Sequence, residues 1–150
     1  MATNLLVGTW KLVSFEVRSD DGGVSYPFGP DAGGQLIYSA DGYMSWVVTR
    51  PNRPSFASDD LRGGTTDEKA AAMDTYLSYG GRYEIRDDRV IHHVAFSLFP
   101  NWVGGTQERL FAFEGEHLLL SAPPVVSRGK TKTVVITWKR ASKETGLQSL

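Results

Sequence analysis

Apolar and polar positions alternate with a period of two through most of the chain, and clusters of Gly, Pro and Asp interrupt the alternation. Successive side chains on a strand point to opposite faces, so this period predicts half-buried strands. The first runs from Thr9 to Arg18 and ends at the turn signal Asp20-Asp21-Gly22-Gly23. A Pro- and Gly-rich loop, Tyr26 to Gly33, leads into a strand from Gly34 to Ser39, and Asp41-Gly42 turns the chain back into Tyr43 to Arg50. Arg82 to Asp87, Arg89 to Phe99, Thr106 to Glu114, His117 to Ala122 and Lys132 to Arg140 supply the rest. The period lengthens only once. Thr65 and Glu68 match a capping box, Met73, Tyr76 and Leu77 follow on one face, and Gly80 sits where helices stop. A helix is therefore predicted over 66–79, capping one end. About eight strands and one helix make an all-β fold, a closed antiparallel barrel. It forms one domain across residues 1–150, with its core over 7–141 and a flexible tail over 142–150.

The same alternation sorts the interior from the surface. In Arg89 to Phe99 the bulkier face holds Val90, His92, Val94, Phe96 and Leu98, and is taken as inward. In Thr106 to Glu114 the inward face holds Gln107, Arg109, Phe111 and Phe113. Leu118, Leu120, Val134, Ile136 and Trp138 continue the lining. The earlier strands add Trp10, Leu12, Ser14, Glu16, Leu36, Tyr38, Met44, Trp46, Val48, Tyr83 and Ile85. Such an interior is apolar and aromatic with a few polar groups, which is the composition of a small-molecule site.

Composition changes this picture mainly by exclusion. The 150 residues include no cysteine, which removes disulfides, thiolate metal sites and a Cys nucleophile. Net charge is -1 with the signs interspersed, which gives no footprint for nucleic acid. No run of apolar residues is long enough to span a membrane as a helix. With no leader pattern in Met1 to Gly8, a cytoplasmic location is expected. His92 and His93 are adjacent and point to opposite faces, so they cannot chelate one ion, and no metal site or other cofactor is expected.

Val7-Gly8-Thr9-Trp10-Lys11-Leu12-Val13-Ser14 resembles the opening strand of the calycins. Tyr79-x-Gly81-x-Tyr83, His92-His93, Phe99-Pro100-Asn101-Trp102-Val103-Gly104, Arg109 and Thr137-Trp138-Lys139-Arg140 extend the likeness. Together they resemble the bacterial and fungal lipocalin-like domain family, over about residues 7–141. The resemblance implies a barrel around a cavity. It also implies a structural pair, Trp10 with the basic Arg140 laid over its indole at the closed end. It leaves the ligand open, because fold alone does not give function.

Two readings of the interior give it a ligand. In the first, the barrel binds a small, largely apolar metabolite and acts on it as a cofactor-independent isomerase, cyclase or lyase. Glu16 and His92 would serve as acid and base beside Arg109, with Tyr38 or Tyr83 donating to a substrate oxygen. Ser14, Met44, Trp46, Phe96, Trp102, Gln107, Phe111, Leu120 and Trp138 would contact the ligand. In the second, the protein is a non-catalytic carrier or sequestering protein for such a molecule. A third reading, without a ligand, is a structural or interaction barrel with a filled core, where Glu16 and Arg109 form a buried ion pair bonded to His92 for architecture alone. Trp102 either lines the mouth or caps the barrel. Either reading suits a monomer or a homodimer.

Overall fold

The computed structural model describes residues 4–142. Its strands are β1 (Gly8–Ser19), β2 (Val24–Ser25), β3 (Gly33–Tyr38), β4 (Tyr43–Thr49), β5 (Tyr76–Arg86), β6 (Arg89–Ser97), β7 (Thr106–Glu114), β8 (His117–Ser121), β9 (Val125–Ser127) and β10 (Lys130–Arg140). One helix, α1 (Thr66–Asp74), precedes β5, and a single 3₁₀ turn, Pro100–Trp102, follows β6. Eight of the strands run antiparallel in the ring β1-β3-β4-β5-β6-β7-β8-β10, which closes where β10 pairs back onto β1. The short β2 and β9 add to the outer ends of β1 and β10. The closed eight-strand barrel read from the sequence is thus what the chain forms. Closure matters physically because it leaves no long open edge. The expected flexible tail lies, beyond Ser142, outside the described residues.

The closed end is built as expected. Trp10 is buried, its indole N–H donates to Leu6 O, and the Arg140 guanidinium lies 4.3 Å from the ring centroid. Arg140 also donates to Val7 O and Leu5 O, which straps the segment before β1 across the barrel end. Leu6 is buried beneath that strap. Leu36, Val48, Val90 and Leu118 are fully buried in the core above it. Each such side chain contributes about 2 kcal/mol through removal of apolar surface from water.

The helix expected over 66–79 ends at Asp74. Its start is as read: Thr65 accepts from Glu68 N, and Glu68 accepts from Thr65 N. Its end differs because Tyr76 to Tyr79 pair with Thr49 to Trp46 of β4. Ladder pairing of an aromatic, alternating segment outweighs the helical propensity of the alanines before it. Gly80 therefore lies inside a strand. The helix buries no side chain and Met73 is half exposed, so α1 does not plug the barrel. Leu77, from β5, packs against the core instead.

Two bulges redirect side chains. In β1, Leu12 pairs with Trp138 and Ser14 with Thr137, so Val13 is an extra residue. An extra residue inverts the alternation beyond it. Phe15, not Ser14 or Glu16, then faces inward opposite Ile136. In β6, Gly81 pairs with Val94 and Gly80 with Phe96, which leaves Ala95 extra. Phe96 is turned outward and is 75% exposed. Gly81 permits this: a Cβ there would overlap the carbonyl oxygen of His93.

Candidate functional site

The centre of the barrel is polar at one spot. His92, on β6, is buried and hydrogen-bonds on both sides: its Nε2 to the Tyr38 hydroxyl at 2.7 Å and its Nδ1 to the Tyr79 hydroxyl at 2.6 Å. Both tyrosines are buried too. Burial, with the positive charge of Arg109 and then His93 nearby, pulls the His92 pKa down to about 3. The imidazole is therefore neutral at physiological pH, with one N–H and one acceptor nitrogen. Burial pushes the Tyr38 and Tyr79 hydroxyls up, and the Arg109 charge opposes both shifts. Trp46 sits edge-on to the Tyr79 ring at 4.9 Å.

Tyr79, His92, Arg109 and Trp138 surround a small void together with Leu36, Trp46, Leu120 and Ile136. Its volume is about 10 Å³, room for a single water or one ligand atom. Among the described residues, this interior void is far smaller than the ligand-sized cavity expected from the sequence, and aromatic side chains of the core surround it. Trp138 is buried, and its indole N–H has no acceptor. Arg109 donates to Glu108 O and to Gln107 Oε1, both neutral.

The other expected site residues sort by strand geometry. Trp46, Leu120 and Trp138 line the void, and Met44 is buried in the surrounding core. Gln107 serves Arg109, while Phe111 packs against the core. Trp102 stands at the mouth, edge-on to Tyr79 at 5.8 Å and to Phe99 at 5.3 Å. Four residues lie elsewhere than the sequence predicts. Glu16 lies on the outer face, bonded to Arg18 at 2.9 Å and to Ser14, so neither Glu16 nor Ser14 reaches the interior and the Glu16–Arg109 pair does not form. The Val13 bulge is the cause. Phe96 is turned out by the second bulge. Tyr83 donates to Ser39 O and accepts from Asn4, so its hydroxyl serves the closed end rather than a substrate.

Tyr79 was absent from the expected site because it was assigned to the helix. The period-two series Leu77, Tyr79, Gly81, Tyr83 is the signal that places it, since all four share the inner face of β5. Among the described residues, no group of three His, Cys, Asp or Glu is arranged to hold a metal, and no helix is long and apolar enough to cross a membrane.

A closed eight-strand antiparallel barrel sealed by Trp10 and Arg140 is a lipocalin-like architecture. The chain belongs to the lipocalin-like domain family, which matches residues 7–141. It is 39% identical over 106 residues to the 4'-hydroxy-3'-methoxypropiophenone carrier protein ppsC of Aspergillus oryzae (strain ATCC 42149 / RIB 40); the match covers 65% of this chain and 96% of that protein. Among solved structures, it is similar to a lipocalin-like protein from Bacteroides uniformis, with 12% identity and a TM-score of 0.46, covering 91% of this chain and 98% of that one. It is also similar to the lipoprotein YedD from Klebsiella pneumoniae, with 14% identity and a TM-score of 0.43, covering 96% and 78%.

Proposed function

We propose that this protein is a carrier: it takes a small, largely apolar aromatic molecule into the barrel and releases it unchanged. The observation that carries this reading is the state of the interior acid-base groups. His92, the only interior histidine among the described residues, has both ring nitrogens bonded to tyrosines and stays neutral. The carboxylate that would complete an acid-base pair, Glu16, is on the outside. Such a site can hold and orient a ligand through its walls and a few hydrogen bonds, but has no free base of ordinary strength. The similarity to the Aspergillus carrier supports the same reading.

Because the void holds only one atom or water, entry requires a side chain to leave. Trp102 is the candidate. It sits at the mouth on a short 3₁₀ turn, stacked edge-on against Tyr79, which borders the void. Rotating its indole outward vacates space for one aromatic ring.

The test is a titration with 4'-hydroxy-3'-methoxypropiophenone, read by quenching of tryptophan fluorescence and followed by mass spectrometry of the recovered ligand. Saturable binding with the ligand intact is expected, and Trp102→Ala should speed its association. No saturation up to millimolar ligand would end the carrier reading for this class of molecule. Conversion to an isomer, cyclised product or elimination product would replace it with isomerase, cyclase or lyase chemistry routed through Tyr79 and His92.

A further inference from the structure

We propose that Arg109 and Trp138 form a receptor for a single oxygen anion, so that the carried molecule is a phenol held as its phenolate. This rests on the carrier reading and names the ligand chemistry of the same site. The receptor is legible from what its members lack. Arg109 is partly buried and lines the void, yet its two hydrogen bonds go to an amide oxygen and a backbone carbonyl. No carboxylate pairs with it among the described residues. A partly buried cation without an anion is costly, and a bound anion relieves that cost. Trp138 lines the same void with an indole N–H that has no acceptor, although the residue is only 1% exposed. Native structures rarely leave such a donor empty.

Tyr79 adds a third donor in one of its arrangements. A neutral His92 offers one N–H and one lone pair, so of its two tyrosine partners one donates and the other accepts. The accepting hydroxyl keeps a proton to give elsewhere. When that hydroxyl is Tyr79's, the proton is available at the edge of the void.

The size of the void selects the anion. At about 10 Å³ it takes one oxygen, not the two of a carboxylate. The ring that bears the oxygen would lie toward the mouth, where Trp102 sits, against the aliphatic wall. The Arg109 charge already acts on this spot, opposing the upward push on the Tyr79 hydroxyl. It would do the same, more directly, to a phenol placed in contact with it.

The experiment uses the whole protein and three probes: 4'-hydroxy-3'-methoxypropiophenone, its methyl ether 3',4'-dimethoxypropiophenone, and 3-(4-methoxyphenyl)propanoate. A phenolate conjugated to a ketone absorbs at longer wavelength than the phenol, so the bound form can be read directly. With wild-type protein, the phenol's apparent pKa should fall by at least one unit on binding. The ether and the carboxylate should bind at least tenfold more weakly. Arg109→Gln should abolish the long-wavelength band, and Trp138→Phe should weaken binding of the phenol about tenfold more than that of the ether. The wild-type comparison decides the matter even if a variant fails to fold. Equal affinity for phenol and ether, a bound spectrum of the neutral phenol, or preference for the carboxylate would each overturn the phenolate receptor and leave the carrier standing. Failure of all three probes to bind would overturn both.

Discussion

The Tyr38–His92–Tyr79 cluster makes a quantitative claim about stability. His92→Phe keeps the ring shape and removes both hydrogen bonds. Tyr38 is 1% exposed and would be left with a buried hydroxyl and no partner. An orphaned buried hydroxyl costs about 1–3 kcal/mol. Tyr79 borders the void, where a water can take the place of the lost partner, so it loses only the net value of one hydrogen bond, about 1 kcal/mol. The single substitution should therefore destabilise the fold by about 2–4 kcal/mol. In a domain of this size that lowers Tm by roughly 5–15 °C. Tyr38→Phe alone should cost about 1–3 kcal/mol, because it orphans His92 Nε2 instead. The double variant removes both partners and leaves neither orphaned, so it should be little worse than either single one. Urea denaturation of the three variants gives a double-mutant cycle with an expected coupling of at least about 1 kcal/mol. Additive losses would refute the reasoning, since they would mean that the hydrogen bond does not determine the cost.

Stability should also fall with acid in a window set by His92. Its folded pKa, about 3, lies below the unfolded value near 6.5, so the unfolded chain takes up a proton that the folded chain refuses. From pH 7 to 5 this removes about 2 kcal/mol, measurable as a drop in the urea midpoint that His92→Phe abolishes. Gly81→Ala should prevent or gravely weaken folding, with a loss above about 3 kcal/mol by circular dichroism melts, because the added methyl meets the backbone of His93, which cannot yield cheaply. Arg140→Lys keeps the charge but loses the fork that holds Leu5 O and Val7 O, and should cost about 1–2 kcal/mol with faster amide exchange over residues 4–7. Thr65→Ala removes a capping bond worth about 1 kcal/mol to α1; since the helix buries nothing, amide exchange over 66–74 should rise with almost no change in Tm.

The parts of the fold that the chain writes locally were legible. Turn residues, alternation and the capping box each report a few neighbours at a time, and they located most strands and the start of α1. The barrel's seal, Trp10 with Arg140, was legible only through the resemblance to lipocalin-like domains. What alternation cannot report is a single added residue. Nothing in Leu12-Val13-Ser14 marks Val13 as a bulge, since its cause lies in the pairing with β10, distant in sequence. Missing that one residue moved Glu16 from the surface to the centre and created an acid-base pair that does not exist. The helix was overrun for a related reason: only β4 tells Tyr76 to Tyr79 to be strand. His92, Arg109 and Trp138 survived because no bulge separates them from the pattern that assigned them.

The buried cluster and the proposed receptor are coupled through one proton. In one arrangement the Tyr79 O–H is spent on His92 Nδ1, and His92 Nε2–H is given to Tyr38. In the other, Tyr38 donates to Nε2, Nδ1–H is given to Tyr79, and the Tyr79 O–H is free to turn toward the void. Both arrangements keep His92 neutral and both keep its two nitrogens satisfied. An oxygen anion beside Arg109 and Trp138 distinguishes them, because only the second offers it a third donor. The ligand would then set the tautomer of His92, although it never touches the imidazole. An apolar trio at these positions would fill the same space at similar stability, since removing both partners of a buried hydrogen bond is nearly neutral. Packing alone therefore does not account for two tyrosines around a neutral histidine; the proposed receptor, which a redirected donor would complete, would account for them.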